Sequence, residues 1–375
     1  MNKNAQVAET TSKGFADDIF SSLSGSVCQY IPFLESQIQI QEINQFLCHS
    51  SLLLDVRSPS EFIQGHIPGA ISFPLFTDSE RAQVGILYKK QGKDAAVKLG
   101  LHFVGPKLSS FIENVENLVT PHKNLRLYCW RGGMRSSSLA WLLQTAGFHS
   151  TLLSGGYKEY RRWTQEQFKK NYTFILLGGL TGSGKTDLLQ ELKKTNEQII
   201  DLEKLAKHKG SSFGHLGNPK QPSTEYFENI LAFQLSKLNI NMSIWIEDES
   251  RMIGTCHLPL AIWEQMHQSL FLWIECSREE RIKRLLKNYG NQSADGMIQS
   301  TRRLLKKLGT VKTAQTIQCI RDNEIETAIS IVLEYYDQSY IYSCKRRDRQ
   351  FSNSYSISDP ELIVLLKRLT VLKNI

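Results

Sequence analysis

Two kinds of hydrophobic spacing alternate along most of the chain. Short runs, apolar throughout or alternating with polar residues, have the length of strands; stretches with apolar residues every three or four positions follow them, as on one helix face. Ile43, Phe46 and Leu47 make such a stripe before the apolar run 51–54. The run 125–128 alternates, and Leu139, Leu142 and Leu143 then recur at helical spacing. The same alternation returns from 173–177 to Leu188, Leu189 and Leu192. Further strands are predicted at 199–203, 242–246 and 269–276, and a helix at 225–238 with Phe227, Ile230, Leu231 and Leu235 on one side. Strands alternating with helices predict an α/β fold on parallel sheets. A helical stretch, 158–168, separates the two sets, and 375 residues suffice for two cores. The predicted division is a polar, Ser-rich N-terminal extension (1–36), a first domain (37–165) and a second domain with a basic helical C-terminal region (166–375).

The chemistry of the first domain is predicted at Tyr128-Cys129-Trp130-Arg131-Gly132-Gly133-Met134-Arg135-Ser136. Cys129 stands between a strand end and a helix start. Unpartnered backbone N–H groups, the positive end of the helix dipole and the charges of Arg131 and Arg135 all favour thiolate over thiol there. Gly132 and Gly133 let the backbone curl round whatever the sulfur holds. Cys129, Arg131 and Arg135 are therefore the candidate catalytic residues.

In the second domain, Gly178-Gly179-Leu180-Thr181-Gly182-Ser183-Gly184-Lys185-Thr186 follows a compact strand and opens a helix, which is the context a phosphate-binding loop requires. Backbone N–H groups at Gly179, Thr181, Gly182, Ser183 and Gly184 can face phosphate oxygens, Lys185 supplies a point charge, and the Thr186 hydroxyl suits magnesium. An acid ending a later strand commonly positions water or metal in such folds. Asp248 is the first choice for that role and Glu247 the second; Glu249 could equally pair with Arg251. No direct metal-ligand set is predicted.

Composition narrows the class. Hydrophobic content of 41% and charged content of 22% are those of an ordinary globular protein. The net charge of +8 sits almost wholly in the second part: 13 basic and 12 acidic residues up to 155, then 32 and 25. Arg281, Lys283, Arg284 and Lys287, then Arg302, Arg303, Lys306 and Lys307, form basic helical clusters; Tyr335, Tyr336, Tyr340 and Tyr342 precede Lys345-Arg346-Arg347-Asp348-Arg349. Basic and aromatic residues together suit RNA, although a solvated basic face fits equally. Seven scattered cysteines show neither a disulfide framework nor zinc spacing. With no signal-peptide run and no apolar stretch near 18 residues, a cytoplasmic protein without a membrane partner is expected.

Asp55-Val56-Arg57, then Glu61-Phe62, then Gly65-His66-Ile67-Pro68-Gly69-Ala70, with the Cys129 loop beyond, resemble the rhodanese domain. Asp55 and Arg57 read as scaffold, and His66 as structural. The segment from Asp78 to Gly100 is too long for a simple rhodanese. Its Glu80-Arg81-Ala82, Val84-Gly85, Tyr88-Lys89 and Gln91-Gly92, with the Cys129 loop and Ser250-Arg251-Met252-Ile253-Gly254, resemble the tRNA 2-selenouridine synthase family. The resemblance implies a rhodanese-like domain followed by a P-loop NTPase-like parallel-sheet domain. It also implies a transferase that replaces the 2-thio sulfur of wobble 2-thiouridine with selenium from selenophosphate, through an S-geranylated intermediate made from geranyl diphosphate. The implied partners are tRNAs for lysine, glutamate and glutamine, and an enzyme that produces selenophosphate. Cys129 would carry selenium as a selenosulfide, with Arg131 and Arg135 on the phosphate. The P-loop would hold the geranyl donor's diphosphate, with ATP or GTP as the other candidate. Other readings are a plain rhodanese-type sulfurtransferase, a Cys-x5-Arg phosphatase coupled to a nucleotide site, and a nucleotide-switched RNA-binding adaptor.

Overall fold

The computed structural model describes residues 38–118, 123–349, 351 and 353–373; the expected extension at 1–36 lies outside them. The chain divides into two compact units between Tyr160 and Arg161.

In the first unit, β1 (Gln39–Gln41), β2 (Leu52–Asp55), β3 (Ile71–Ser72), β4 (Asn124–Tyr128) and β5 (His149–Leu153) form one parallel sheet in the order β1-β5-β4-β2-β3. Leu54, Leu127, Leu139, Leu143 and Leu152 are buried in its core. The register sets Asp55 opposite Tyr128, so the loops after β2 and β4 emerge side by side. The segment after β3 is helical. Thr77 and Glu80 form a reciprocal capping box at the start of the helix Asp78–Gln91, and Gly92, at φ 86°, turns the chain into the helix Lys93–Val104.

In the second unit, β6 (Phe174–Gly178), β7 (Gln198–Ile200), β8 (Ile244–Glu247), β11 (Leu270–Glu275) and β12 (Ser354–Ser356) form a parallel sheet in the order β12-β11-β6-β8-β7. A small antiparallel pair, β9 (Met252–Ile253) and β10 (Cys256–His257), stands apart. Central β6 is buried along its whole length, which explains its unbroken apolar run. The α/β class with parallel sheets and a helical C-terminal part is therefore present.

Three local expectations change. The strand at 199–203 stops at Ile200, because the Asp201 side chain accepts from Lys204 N at 2.9 Å and starts the helix Leu202–Ala206. The basic cluster of Arg302, Arg303, Lys306 and Lys307 is split between two helices, Ala294–Arg303 and Leu305–Leu308. Edge strand β12 had no counterpart in the sequence reading; three residues of β-structure leave little periodicity to read. Among the described residues, no helix is long and apolar enough to cross a membrane.

Candidate functional site

Cys129 follows the last residue of β4, and the helix Met134–Thr145 begins five residues later. Its Sγ accepts from Gly133 N at 3.2 Å and from the Ser136 hydroxyl at 3.2 Å. Burial opposes ionisation of this thiol, but the Ser136 hydroxyl and backbone, the Arg131 backbone and the Arg135 charge outweigh it and hold it below its ordinary value. The loop is clamped from behind. Tyr157 N donates to Cys129 O at 2.8 Å, and Lys158 N to Trp130 O at 2.9 Å. Gly156, at φ 61°, has no room for a side chain: a Cβ there would lie 2.4 Å from Cys129 O and 2.5 Å from Gly132 N.

Asp55 takes the scaffold position. It accepts from Arg57 Nε at 2.9 Å and from the Tyr128 hydroxyl at 2.8 Å, while Ile67 N donates to that hydroxyl at 3.1 Å. Arg57 also lies 3.7 Å from the centre of the Tyr157 ring. Thus the loop following β2 is locked to the strand that delivers Cys129. His66 points its Nδ1 at Phe62 O, 2.9 Å away, and stacks on the Phe62 ring.

The three candidate catalytic residues surround one cavity of about 500 Å³. Arg131 is exposed on its rim. Arg135 is oriented by Glu61, whose Oε2 accepts from Nη1 at 2.8 Å. The opposite wall is the segment that resembled no simple rhodanese: Arg81, Val84, Gly85, Tyr88 and Lys89 of the helix Asp78–Gln91. In the sequence these residues stand out only as family marks. No short-range pattern links them or Glu61 to Cys129.

In the second unit, the loop after β6 has the expected form. Gly179, Gly182 and Gly184 have positive φ, and a Cβ at Gly179 would lie 2.7 Å from Ile274 O. Lys185 Nζ donates to Gly179 O at 2.7 Å, so its charge is folded back over the loop. The helix Arg278–Tyr289 braces the loop from outside. Arg284 Nη1 donates to Gly182 O at 2.8 Å; Arg281, held by Asp337 at 2.7 Å, reaches Thr181 O at 3.3 Å. Two of the four cations expected on a basic face therefore hold the loop, and Arg281 is buried. Lys283, Lys287, Arg302, Arg303, Lys306 and Lys307 remain exposed.

The strand-end acids exchange places. Thr186 Oγ1 donates to Glu247 Oε1 at 2.6 Å, and Glu203 Oε2 is 3.5 Å from the same hydroxyl. Asp248, the expected first choice, is turned away into a buried cage: Arg347 donates at 2.7 and 2.9 Å, Arg349 at 3.3 Å and the Tyr340 hydroxyl at 3.0 Å. Its charge is spent on fastening the helix Ile325–Arg346 and the turn after it to the end of β8. Glu203, Glu247 and Glu249 crowd beside the loop. Burial first, then nearby carboxylates (Asp201 and Glu249 beside Glu247, Asp248 beside Glu249, Glu247 and Glu249 beside Glu203), push the Glu247 carboxyl up to about 8, the Glu249 carboxyl up to about 7 and the Glu203 carboxyl well above its usual range. Glu247 Oε2 and Ser183 Oγ are buried without a hydrogen-bond partner. The loop 209–214 lies against Glu203 and Glu249: a Cβ at Gly210, φ 67°, would come within 2.9 Å of Glu249 Oε2 and 3.3 Å of Glu203 Oε1.

This arrangement fits a divalent cation bound together with a phosphate. Among the described residues no group of three His, Cys, Asp or Glu could enclose a metal alone. One carboxylate, the Thr186 hydroxyl and phosphate oxygens are the set magnesium ordinarily uses.

Residues 172–361 match the family model described as the tRNA 2-selenouridine synthase AAA domain, and residues 39–162 match that of the rhodanese-like domain. A tRNA 2-selenouridine synthase of Nitrosomonas eutropha is 36% identical over 289 residues, 75% of this chain and 74% of that protein. One from Pseudomonas fluorescens Pf-5 is 35% identical over 324 residues, 77% of this chain and 88% of its own. Another, from Bordetella petrii, is 33% identical over 336 residues, with 80% and 88% covered.

Proposed function

Since the chain belongs to the tRNA 2-selenouridine synthase family, we propose that it exchanges the 2-thio sulfur of wobble 2-thiouridine for selenium in two transfers, one at each unit. The substrates are tRNAs for lysine, glutamate and glutamine, with geranyl diphosphate and selenophosphate as donors. A selenophosphate-producing enzyme must supply the second donor. The observation that carries this reading is that one chain holds two anion sites of unlike chemistry: an activated thiol in a basic pocket, and a phosphate loop beside buried acids.

The two-step order follows from leaving-group chemistry. The sulfur of 2-thiouridine departs poorly from C2, but alkylation converts it into a thioether-like substituent. When the selenium of selenophosphate bonds to C2, the C2–S bond breaks and the sulfur leaves with its geranyl group, taking a proton to become a thiol; water then cleaves the Se–P bond, releasing phosphate and leaving selenium on C2. Cys129 engages the selenium donor, and Arg131 and Arg135 hold its phosphate.

At the second unit, the loop N–H groups and Lys185 hold the diphosphate of the geranyl donor. Magnesium held there by Thr186, Glu247 and the phosphate oxygens would neutralise the charge of the departing diphosphate. An apolar cavity walled by Thr181, Phe213, Leu285 and Tyr336 adjoins the loop. At about 60 Å³ it is well below the roughly 150 Å³ that takes up benzene. A prenyl chain would enter it as Phe213, on the loop 209–214, moves aside.

The test is Lys185→Ala. Geranylation of 2-thiouridine tRNA should be lost while tRNA already carrying S-geranyl-2-thiouridine is still converted with selenophosphate. Intact geranylation in that variant, or competition at the loop by ATP but not by geranyl diphosphate, would overturn the assignment of the second site.

A further inference from the structure

Beside the Cys129 pocket lies a second space that the roles above leave unused. It is a slot of about 190 Å³ formed by the helices Asp78–Gln91, Lys93–Val104 and Met134–Thr145, and its walls are almost wholly apolar. Phe76, Val84, Tyr88 and Met134 line both spaces, so the slot is a lateral extension of the pocket. Ala96, Val97, Leu101 and Val104 supply much of the rest. Tyr88, Met134 and Leu101 are 59%, 52% and 65% exposed. A cluster of large apolar side chains held in water at the mouth of a basic pocket marks a binding surface.

A tetrahedral anion gains nothing from such a wall. A nucleotide carrying an alkyl group on its base matches both halves: the phosphate meets Arg81 and Lys89, and the hydrocarbon meets the slot. We propose that the slot receives the ten-carbon chain on the sulfur of the S-geranylated nucleoside and thereby sets C2 over Cys129; this rests on the reading that such an intermediate forms. Since about 150 Å³ accommodates the six carbons of benzene, the slot takes most of a ten-carbon chain, whose remainder lies where the slot opens into the pocket. The two helices from Asp78 to Val104 then have a purpose. They make the thiol site selective for alkylated over unalkylated thiouridine, so selenium meets only a substrate whose sulfur can leave.

The experiment uses the full chain, selenophosphate, and tRNA carrying either S-geranyl- or S-methyl-2-thiouridine, with nucleosides followed by mass spectrometry. The wild type should convert the geranylated tRNA with a kcat/KM at least about tenfold higher, as burial of several methylenes requires. Val97→Phe, which fills the slot, and Leu101→Glu, which changes an exposed side chain and leaves the core intact, should both erase that preference. Equal rates in the wild type, or an unchanged preference in both variants, would overturn the slot while leaving the intermediate standing. No 2-selenouridine from either alkylated tRNA would overturn the intermediate and the slot with it.

Discussion

In the first unit the loop after β4 holds a sulfur against Gly133 N–H and the Ser136 hydroxyl; in the second the loop after β6 faces Glu203, Glu247 and Glu249. Both loops lie at the C-terminal end of a buried parallel strand and lead into a helix, so both expose backbone N–H groups to an anion. Their surroundings bias opposite protonation states. Donors and a nearby arginine draw Cys129 toward its charged form, whereas burial and like-charge neighbours keep the acids protonated. The first loop thus favours a charged sulfur, and the second favours neutral carboxyls.

The contrast is broken most severely by Cys129→Ser. Selenium incorporation should fall by on the order of 10³ or more while geranylation continues, measured by nucleoside mass spectrometry. Equal loss of both steps would mean that the two sites do not act separately.

The acid cluster gives the next effect. The folded state keeps protons on Glu247 and Glu249 up to about 8 and about 7, against 4.5 for the ordinary carboxyl. Between those limits the folded state binds more protons than the unfolded chain, so stability is lost as pH rises through the window. Glu247→Gln should remove about 2–4 kcal/mol of that loss, read as a flatter unfolding free energy between about pH 5 and 8. Magnesium with diphosphate should flatten the wild-type profile in the same way.

Gly156→Ala comes next. Its Cβ would meet backbone on two sides at 2.4 and 2.5 Å, so the Cys129 loop must shift. A stability loss of about 2 kcal/mol is expected in urea unfolding, with slower thiol alkylation. Ser136→Ala is the mildest change. It removes one donor to the sulfur, and alkylation by iodoacetamide near pH 7 should slow by about tenfold, with the pH profile displaced upward.

Much of this was legible in the residues. The strand-then-helix rhythm placed both sheets, and the loops after β4 and β6 stood out by glycine, charge and position. What stayed hidden depends on register and distance. Glu247 pairs with Leu177 in the ladder and turns toward Thr186, while its neighbour Asp248 turns the other way. A one-residue choice at a strand end cannot be made from composition, because successive side chains point to opposite faces. The partners that settle it, Arg347 and Arg349, lie about a hundred positions away. Glu61 reaches Arg135 across 74 positions. The helix Asp78–Gln91 has no buried residue and only a weak apolar stripe, so nothing in its pattern showed that it would wall the Cys129 pocket.

The most direct measurement is mass spectrometry of the wobble nucleoside after 2-thiouridine tRNA is incubated with the protein and each donor, separately and together. Geranyl diphosphate alone should give S-geranyl-2-thiouridine, and both donors together 2-selenouridine. Unchanged 2-thiouridine under every condition would contradict the two-site account.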